Sequence, residues 1–307
     1  MIKHAYIIQA HKNPDQLFRM INALRDDNVK FFIHIDLKSN IAAFSSRIKG
    51  EDIVFIRERI DCIWGDFSQV QATLHLISAV LASNCDDRTR VTFLSGQDYP
   101  IKSKGYIAQF LEDNALKDFI TIENLEDSGA HHLKRISAFK INHSNERSDY
   151  TLVSLRYIKG VIKSLFMRKL RLKDLTHLFK AKKYPLMHKQ YRGSNWWSLN
   201  VITLNKIVDY YQQHKNVLND YYEKTICSDE TFFHTIIMHL QRDDKGITID
   251  SSLTYDNWTR KQAELPVTFE KDDISELLHQ PSNKLFARKF DTEKCSEILN
   301  KLDQINK

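Results

Sequence analysis

The N-terminal part of the chain contains two apolar runs separated by a segment of helical periodicity. Residues 4–11 and 29–35 are the apolar runs, and such runs are typical of strands covered on both faces of a sheet. Between them, Asn13 supplies a helix N-cap and Pro14 occupies the first helical position. One apolar stripe follows at helical spacing: Leu17, Met20, Ile21 and Leu24. Strand, helix and buried strand in this order predict a βαβ unit and therefore an α/β protein.

The same two patterns continue to the C-terminus. Further strands are predicted at 53–56, 91–94, 119–123, 193–200 and 247–249, and further helices after Trp64-Gly65, at 204–213, after Asp229 and at 293–302. The chain has 307 residues, and its eight glycines and five prolines leave no room for a flexible linker. We therefore expect one domain that spans residues 1–307.

Two adjacent carboxylates stand where one of these helices is predicted to begin. Ser228 or Asp229 can cap its first N–H groups. After Glu230 an apolar face repeats at helical spacing: Phe232, Phe233, Ile236, Ile237 and Leu240. An acid on the first turn of a buried helix is held rigidly, as a general base must be. Alternatively, Asp229 and Glu230 only complement the helix dipole, and this stretch alone leaves both interpretations open.

Several polar side chains follow the ends of predicted strands. Ligands of open α/β sheets bind beyond the carboxyl ends of the strands, so Gln9, His11 and Asp36 lie where a nucleotide would bind. Asp36 could equally be a loop acid or a helix cap. Asp98 follows the strand at 91–94, in a loop that contains the turn formers Gly96 and Pro100. We expect Asp98 to contact the same ligand.

The predicted strand at 193–200 carries Trp196 and Trp197 side by side. Successive side chains of a strand point to opposite faces, so one ring should enter the core and the other can face a cleft. Aromatic faces are common platforms for sugar rings. Tandem aromatics also occur simply because they pack well, and both explanations stay open here.

The positive charge is concentrated in one segment. The net charge is +6, and from Arg156 to Arg192 Asp174 is the only acid. Apolar residues recur in this segment at roughly helical spacing, which predicts a basic helical insertion at about 152–190. Such a helix can lie on an anionic membrane surface, or it can be a solvated helix of the protein itself. No nucleic-acid-binding module is present, so we expect no nucleic-acid partner.

Absent motifs exclude several enzyme classes. The sequence has no GxGxxG, no GxxxxGK[ST] and no GxSxG, which argues against dehydrogenases, P-loop kinases and serine hydrolases. It also has no DxD, and its four cysteines are scattered. We therefore expect no metal site and a reducing compartment. The N-terminus has no long apolar run, so the expected location is the cytoplasm, with a peripheral position on the inner face of the cell membrane as a further possibility.

Five segments together resemble the core-2/I-branching β-1,6-N-acetylglucosaminyltransferase family, which includes the peptide O-xylosyltransferases. They occur in the family order over nearly the whole chain: Gln9-Ala10-His11-Lys12, Ile33-His34-Ile35-Asp36-Leu37-Lys38-Ser39, Ser95-Gly96-Gln97-Asp98-Tyr99-Pro100-Ile101-Lys102, Ser228-Asp229-Glu230 and Leu285-Phe286-Ala287-Arg288-Lys289-Phe290-Asp291. The third and fifth segments are the most specific. Because the chain has no anchor or disulfide framework like those of the animal enzymes, it resembles a bacterial member.

The resemblance implies a GT-A-like, Rossmann-type nucleotide-sugar-binding fold with a mixed central sheet flanked by helices. The nucleotide-binding half would cover about 1–125, and the acceptor and catalytic half about 126–307. The implied reaction is an inverting transfer from a UDP-sugar without a metal or other cofactor. N-acetylglucosamine and xylose are the favoured sugars. The implied acceptor is a glycan or lipid-linked oligosaccharide, as in the biosynthesis of a surface polysaccharide.

The resemblance also assigns roles to single residues. Glu230 matches the catalytic base, and Lys289 matches the lysine that contacts the UDP diphosphate. Gln9 and Asp36 match nucleotide contacts. The acceptor contacts would be Glu123, Lys134 and Trp258, to which the cleft-facing Trp196 is added.

One element of the family pattern is missing. An arginine that should precede Lys289 by some twenty residues falls at Glu264-Leu265, and Arg260 and Lys261 are the nearest substitutes. Two alternatives to the main assignment remain: a peptide O-xylosyltransferase-type activity, and a non-catalytic relative that binds nucleotide or carbohydrate.

Overall fold

The computed structural model describes residues 2–129, 132–133, 136–186, 189–261 and 263–306. Its strands in chain order are β1 (Ile2–Ala10), β2 (Val29–Ile35), β3 (Ile53–Phe55), β4 (Cys85–Ser95), β5 (Asp98–Pro100), β6 (Lys117–Ile120), β7 (Glu123–Asn124), β8 (Phe139–Asn142), β9 (Tyr150–Val153), β10 (Tyr191–Arg192), β11 (Trp197–Asn200), β12 (Thr248–Asp250), β13 (Thr254–Asp256) and β14 (Phe286–Arg288).

The helices are α1 (Pro14–Leu24), α2 (Ile41–Ser45), α3 (Phe67–Leu81), α4 (Lys104–Asp113), α5 (Ile158–Phe166), α6 (Val201–Tyr222), α7 (Phe232–Asp243), α8 (Ile274–Leu278) and α9 (Glu297–Ile305). The predicted start of α1 is confirmed, because the Asn13 side chain accepts a hydrogen bond from the Gln16 N–H at 3.1 Å. Asp66 caps α3 in the same way, through the Ser68 N–H at 2.9 Å. No helix among these residues has the length and apolar character needed to cross a bilayer.

The central sheet has seven strands in the order β12-β6-β11-β4-β1-β2-β3. Strand β1 pairs in parallel with β2 and β4, and β2 pairs in parallel with β3. Strand β11 is antiparallel to both β4 and β6. The predicted α/β class with a mixed sheet flanked by helices is therefore confirmed. The sheet does not divide near residue 125, because β11 and β12 come from the later half of the chain.

Neighbouring residues of β1 pack on opposite faces of this sheet. Ile8 lies in one hydrophobic cluster with Leu17 of α1, and Ile7 lies in another with Val70 of α3. Both faces are therefore covered, which explains why the apolar runs of β1 and β2 are nearly continuous rather than alternating.

Three smaller sheets surround the edge where the parallel strands end. Strand β14 pairs with β13 and, antiparallel, with β5. Strand β10 pairs with β7, and β8 pairs with β9 as a hairpin. These pairings bring segments from distant parts of the sequence to one side of the central sheet.

The basic insertion is helical only in part, which corrects the prediction for 152–190. It consists of α5 and two 3-10 segments, Leu155–Tyr157 and Leu172–Phe179. Helix α5 ends because Arg168 takes a left-handed conformation with φ of 57°. The insertion and the β8–β9 hairpin share a small cluster of their own: Phe139, Ile141, Val153, Val161, Leu165, Leu170, Leu175 and Leu178.

Candidate active site

A cavity of about 1110 Å³ opens at the carboxyl ends of β1, β2 and β4. This is where open α/β sheets bind their ligands. Most of the predicted site residues line it: Gln9, His11, Asp36, Glu123, Trp196, Glu230, Trp258 and Lys289. The topology therefore assembles in one place residues that the sequence separates by more than two hundred positions.

Glu230 is held by an arginine that the sequence did not single out. Its Oε2 accepts a hydrogen bond from Arg192 Nη2 at 3.0 Å. Arg192 also reaches Glu123, with 3.5 Å between Nη1 and Oε2. No hydrogen bond to Glu230 Oε1 is present within the described residues, so one carboxylate oxygen is oriented and the other is available to a ligand.

The backbone around Gly193 fixes the position of Arg192. Arg192 is paired with Glu123 across β10 and β7, and Gly193 N–H donates to the Glu230 carbonyl at 3.0 Å. A Cβ at Gly193 would lie 1.7 Å from the Thr121 carbonyl oxygen. Only glycine allows the chain to pass this closely, so the Gly193 position also determines where Arg192 and Glu230 meet.

The start of the helix after Glu230 differs from the prediction. Residues Ser228–Glu230 form a 3-10 turn, and α7 begins only at Phe232, with no side-chain cap. Cys227 precedes the turn in a left-handed conformation, with φ of 52°. Glu230 thus lies on a separate turn ahead of the helix. The apolar face of α7 is buried as predicted, at Phe232, Phe233, Ile236 and Ile237.

Asp229 lies beside Glu230 and also lines the cavity. Burial, and then the neighbouring Glu230 carboxylate, raise the pKa of Asp229 to about 7. Its Oδ1 is buried and accepts no hydrogen bond within the described part of the chain. The two adjacent acids therefore have different environments, and Glu230 is the one with an ionic partner.

Lys289 follows β14 and lines the cavity. Burial, and then the Arg288 guanidinium, lower the pKa of Lys289. Arg288 also lines the cavity, where its guanidinium lies 4.2 Å from the centre of the Trp196 ring. Two adjacent cations at the wall of a cavity are suited to binding a polyanion such as a diphosphate.

Asp98 does not line the cavity, which corrects its assignment to ligand binding. Its side chain is completely buried and accepts hydrogen bonds from the Ser95 N–H and, at 3.1 Å, from Arg288 Nε. Burial raises the pKa of Asp98, and Arg288 opposes this shift. Asp98 thus orients the Arg288 side chain and contacts no ligand space itself.

Neither proposed partner of Lys289 lines the cavity. Arg260 is held elsewhere by ion pairs with Asp273 and Glu276, each at 2.8 Å. Lys261 lies on an exposed turn beyond it. The cations that do line the cavity, in addition to Lys289 and Arg192, are Lys12, Lys38, Arg147, Arg288 and Lys294.

The polar residues at the strand ends are already fixed by the protein. Gln9 Nε2 donates to the Gln69 carbonyl at 2.9 Å and to Thr73 Oγ1 at 2.8 Å. Asp36 accepts from the Lys38 N–H at 2.9 Å. Burial, and then Lys12, lower the pKa of His11, which favours its neutral form. These side chains are preorganised before any ligand arrives, which reduces the cost of binding.

The tandem tryptophans divide as predicted. Trp197 is buried in the core, and Trp196 faces the cavity. Trp258 also lines the cavity and is about half exposed, with its Nε1 bonded to Asp256 at 2.9 Å. Trp64, which the sequence showed only as a residue before a helix, adds a third indole to the cavity lining.

Two further predictions concern an acceptor contact at Lys134 and the absence of a metal site. Lys134 lies outside the described residues, so its assignment stays a prediction. In the part of the chain that the structure describes, no group of three or more histidine, cysteine, aspartate and glutamate side chains could hold a metal ion. The metal independence implied by the family resemblance also stays a prediction.

The model of the Core-2/I-Branching enzyme family matches residues 4–281, which is most of the chain.

The chain belongs to the Core-2/I-Branching enzyme family. Similar curated proteins include distant xylosyltransferases. Xylosyltransferase 2 of Rattus norvegicus is 21% identical over 320 residues, which are 99% of this chain but 33% of that protein. Xylosyltransferase of Ciona intestinalis is 23% identical over 320 residues, 98% of this chain and 34% of that protein. This family member thus spans about a third of the length of these relatives.

Two solved structures cover most of this family member and superpose on it only loosely. The galactosyltransferase LgtC, in complex with donor and acceptor sugar analogs, is 12% identical, with 93% of this chain and 86% of that chain covered and a TM-score of 0.37. Mouse xyloside xylosyltransferase 1 is 10% identical, with 92% and 97% covered and a TM-score of 0.36.

Proposed function

We propose that this chain is an inverting, metal-independent glycosyltransferase that moves a sugar from a UDP-sugar to a hydroxyl of a glycan or glycoconjugate. The observation that carries the proposal is the presence of Glu230 and Lys289 in one cavity at the carboxyl ends of the central strands. Membership of the Core-2/I-Branching enzyme family supports the same reaction class.

In the proposed reaction Glu230 acts as the general base. Glu230 takes the proton of the acceptor hydroxyl while the hydroxyl oxygen attacks the anomeric carbon from the side opposite the UDP. The new carbon–oxygen bond forms as the bond to the β-phosphate breaks, and UDP leaves with the bonding electrons. Arg192 is a positioning residue, because its hydrogen bond to Oε2 fixes the orientation of the carboxylate.

The leaving diphosphate requires positive charge, and protein side chains can supply it. Lys289 and Arg288 are adjacent on one wall, and Lys12 and Lys294 line the same cavity. Charge-assisted hydrogen bonds from such groups stabilise a developing oxyanion without a metal. Burial and the neighbouring Arg288 lower the pKa of Lys289, and a bound diphosphate would favour the charged lysine and so oppose this shift.

The donor is proposed to carry N-acetylglucosamine or xylose, and the similarity to the xylosyltransferases of Rattus norvegicus and Ciona intestinalis supports xylose. The acceptor is proposed to be a growing surface polysaccharide or lipid-linked oligosaccharide, with Trp196 and Trp258 as platforms for its sugar rings. The proposed location is the cytoplasm, with a peripheral position on the inner face of the cell membrane as a further proposal.

A donor panel tests the proposal and names the sugar. UDP release is measured with UDP-N-acetylglucosamine, UDP-xylose, UDP-glucose and UDP-galactose, with EDTA or with added magnesium. We expect slow hydrolysis of one donor, at the same rate in both conditions. A requirement for metal would overturn metal independence. Release from no donor, together with no rise in melting temperature on addition of UDP, would favour the non-catalytic alternative.

A further inference from the structure

The outer face of α5 carries an apolar stripe that no other part of the protein covers within the described residues. Ile158, Ile162 and Phe166 recur every four residues and so lie on one side of the helix. Ile162 is 58% exposed and Phe166 is 93% exposed. Val161 and Leu165 continue this stripe around the helix and pack into the small cluster of the insertion. The helix therefore has one wide apolar face, and the part formed by Ile162 and Phe166 points to solvent.

Further large apolar side chains are exposed in the same short segment. Leu155, Met167, Leu172 and Phe179 are each more than half exposed, and Leu172 and Phe179 exceed 80%. Single exposed apolar residues are normal on soluble proteins, but a group of them marks a surface that binds something apolar.

Cations flank the apolar stripe. Arg156, Lys159 and Lys163 are exposed, and none of them forms an ion pair with any described residue. The only acid of the segment, Asp174, bonds the Arg171 N–H at 2.8 Å. The other exposed cations of the segment without an ion pair in the described chain are Arg168, Arg171, Lys173, Lys180 and Lys183. Two lysines do not contribute to this surface: Lys169 and Lys182.

Those two lysines have partners inside the protein. Lys169 is paired with Asp149 at 2.6 Å. Lys182 is largely buried and donates to the Lys224 carbonyl and to Thr225 Oγ1. Burial lowers the pKa of Lys182 well below its usual range. The surface charge therefore comes from lysines and arginines that form no ion pair with the described residues.

We propose that residues 155–180 form a docking surface for an anionic lipid bilayer. The apolar stripe would enter the boundary between headgroups and acyl chains, and the flanking lysines and arginines would contact the lipid phosphates. A second copy of this surface would bring cations against cations. A nucleic acid would leave Ile162 and Phe166 in water. An anionic bilayer satisfies both the charge and the apolar area.

The hairpin that carries this surface also forms part of the cavity wall. Strand β9 packs against α5, and the loop between β8 and β9 contributes Asn145, Glu146 and Arg147 to the cavity lining. Asn145 bonds Asp61 at 2.8 Å, and the Arg147 guanidinium lies 4.4 Å from the centre of the Trp64 ring. Docking would thus hold the cavity close to the bilayer. If the proposed function is correct, this favours a lipid-linked acceptor.

Vesicle sedimentation tests the docking surface directly. The whole chain is mixed with phosphatidylcholine vesicles that contain about one third phosphatidylglycerol, and with pure phosphatidylcholine vesicles as the neutral case. We expect binding to the anionic vesicles only, weakening as salt is raised from about 0.1 to about 1 M. Arg156→Gln with Lys159→Gln and Lys163→Gln should lower the partition coefficient on the order of 100-fold. Ile162→Ser with Phe166→Ser should lower it at least about tenfold.

Matched controls separate the docking surface from general charge and hydrophobicity. Lys49→Gln with Lys215→Gln and Lys245→Gln removes the same charge from exposed positions elsewhere, and Leu116→Ser with Val217→Ser removes exposed apolar side chains elsewhere. Both control variants should bind like the wild type, and all variants should melt at the wild-type temperature. No binding of the wild type to anionic vesicles overturns the proposal. Equal loss of binding in control and test variants also overturns it, as does self-association through Phe166 in place of vesicle binding.

Donor hydrolysis measured without vesicles separates this proposal from the proposed function. Ile162→Ser with Phe166→Ser should leave that hydrolysis unchanged, because these side chains do not line the cavity. Vesicle binding without hydrolysis of any donor would support the docking surface and overturn the transferase. Hydrolysis without vesicle binding would support the transferase and overturn the docking surface.

Discussion

At the rim of the cavity, the Arg192 guanidinium contacts the carboxylates of Glu230 and Glu123. Sequence patterns do not show this contact. Arg192 bonds Glu230 at 3.0 Å and approaches Glu123 at 3.5 Å. A planar guanidinium with several donors can hold two acids at fixed positions, whereas a lysine presents a single flexible ammonium. The orientation of Glu230, the proposed general base, therefore depends on arginine at this position.

Arg192→Lys is expected to lower kcat by roughly 10- to 100-fold and to leave the KM for the donor nearly unchanged. The charge stays, but the fixed geometry of the carboxylate is lost. Steady-state kinetics with the preferred donor measure both constants. Arg57→Lys, at an exposed position outside the cavity, is the control. An unchanged kcat in Arg192→Lys would show that the ion pair has no part in catalysis.

Asp229 should make the stability of the protein depend on pH. Its pKa is raised to about 7 in the folded chain by burial and by Glu230, while an unfolded chain ionises near pH 3.9. Between these two values the folded state keeps a proton that the unfolded state has lost. The free energy of unfolding therefore falls as the pH rises through this window.

Asp229→Asn removes this pH-dependent loss of stability, because asparagine does not ionise. The variant should gain stability relative to the wild type as the pH rises from about 4 to about 7, by on the order of 1–4 kcal/mol, with no further gain above that. Melting temperatures at about pH 4.5 and pH 8 test the prediction. The same difference between variant and wild type at both pH values would contradict it.

At the scale of elements, the segment from β10 to β11 depends on Gly193. The chain passes Thr121 so closely that a Cβ has no space. Gly193→Ala should therefore lower the free energy of unfolding by about 1–3 kcal/mol and also reduce turnover, because Arg192 is displaced. Gly105→Ala in α4 is the control, since nothing lies within 4 Å of the added Cβ. Thermal unfolding that is unchanged in Gly193→Ala would show that the backbone relaxes without cost.

Elements with strong local signals could be predicted from sequence. Asn13 and Pro14 mark the start of α1, and β2 has its predicted bounds. The exceptions depend on backbone conformations that carry no sequence signature. Arg168 and Cys227 both adopt left-handed φ angles without being glycine, and these angles end α5 and produce the separate 3-10 turn of Glu230.

At the scale of the whole molecule, the site is assembled from the ends of many elements. Strand ends and family motifs singled out Glu230, Lys289 and Asp36, and all three line the cavity, while their roles stay predictions. They could not predict that Asp273 and Glu276 hold Arg260 away from the cavity, because such ion pairs depend on tertiary packing. Arg288, the sequence neighbour of Lys289, lines the cavity beside it.

Binding of UDP should therefore depend on the adjacent pair of cations. Addition of UDP should raise the melting temperature of the wild type, and Lys289→Ala should abolish most of this rise. Arg260→Ala should lower the starting melting temperature, because Asp273 and Glu276 lose their partner, and should leave the rise on addition of UDP unchanged. A rise that depends on Arg260 and not on Lys289 would contradict the assignment.

The most direct test of the central claim compares wild type and Glu230→Gln in two assays on the same preparations: turnover of the preferred UDP-sugar with acceptor, and the Kd for UDP. Glutamine keeps the shape of the side chain and cannot accept the proton. We predict a loss of kcat on the order of 10²- to 10⁴-fold with a nearly unchanged Kd for UDP. Turnover by Glu230→Gln at the wild-type rate would contradict the claim that Glu230 is the general base of this site.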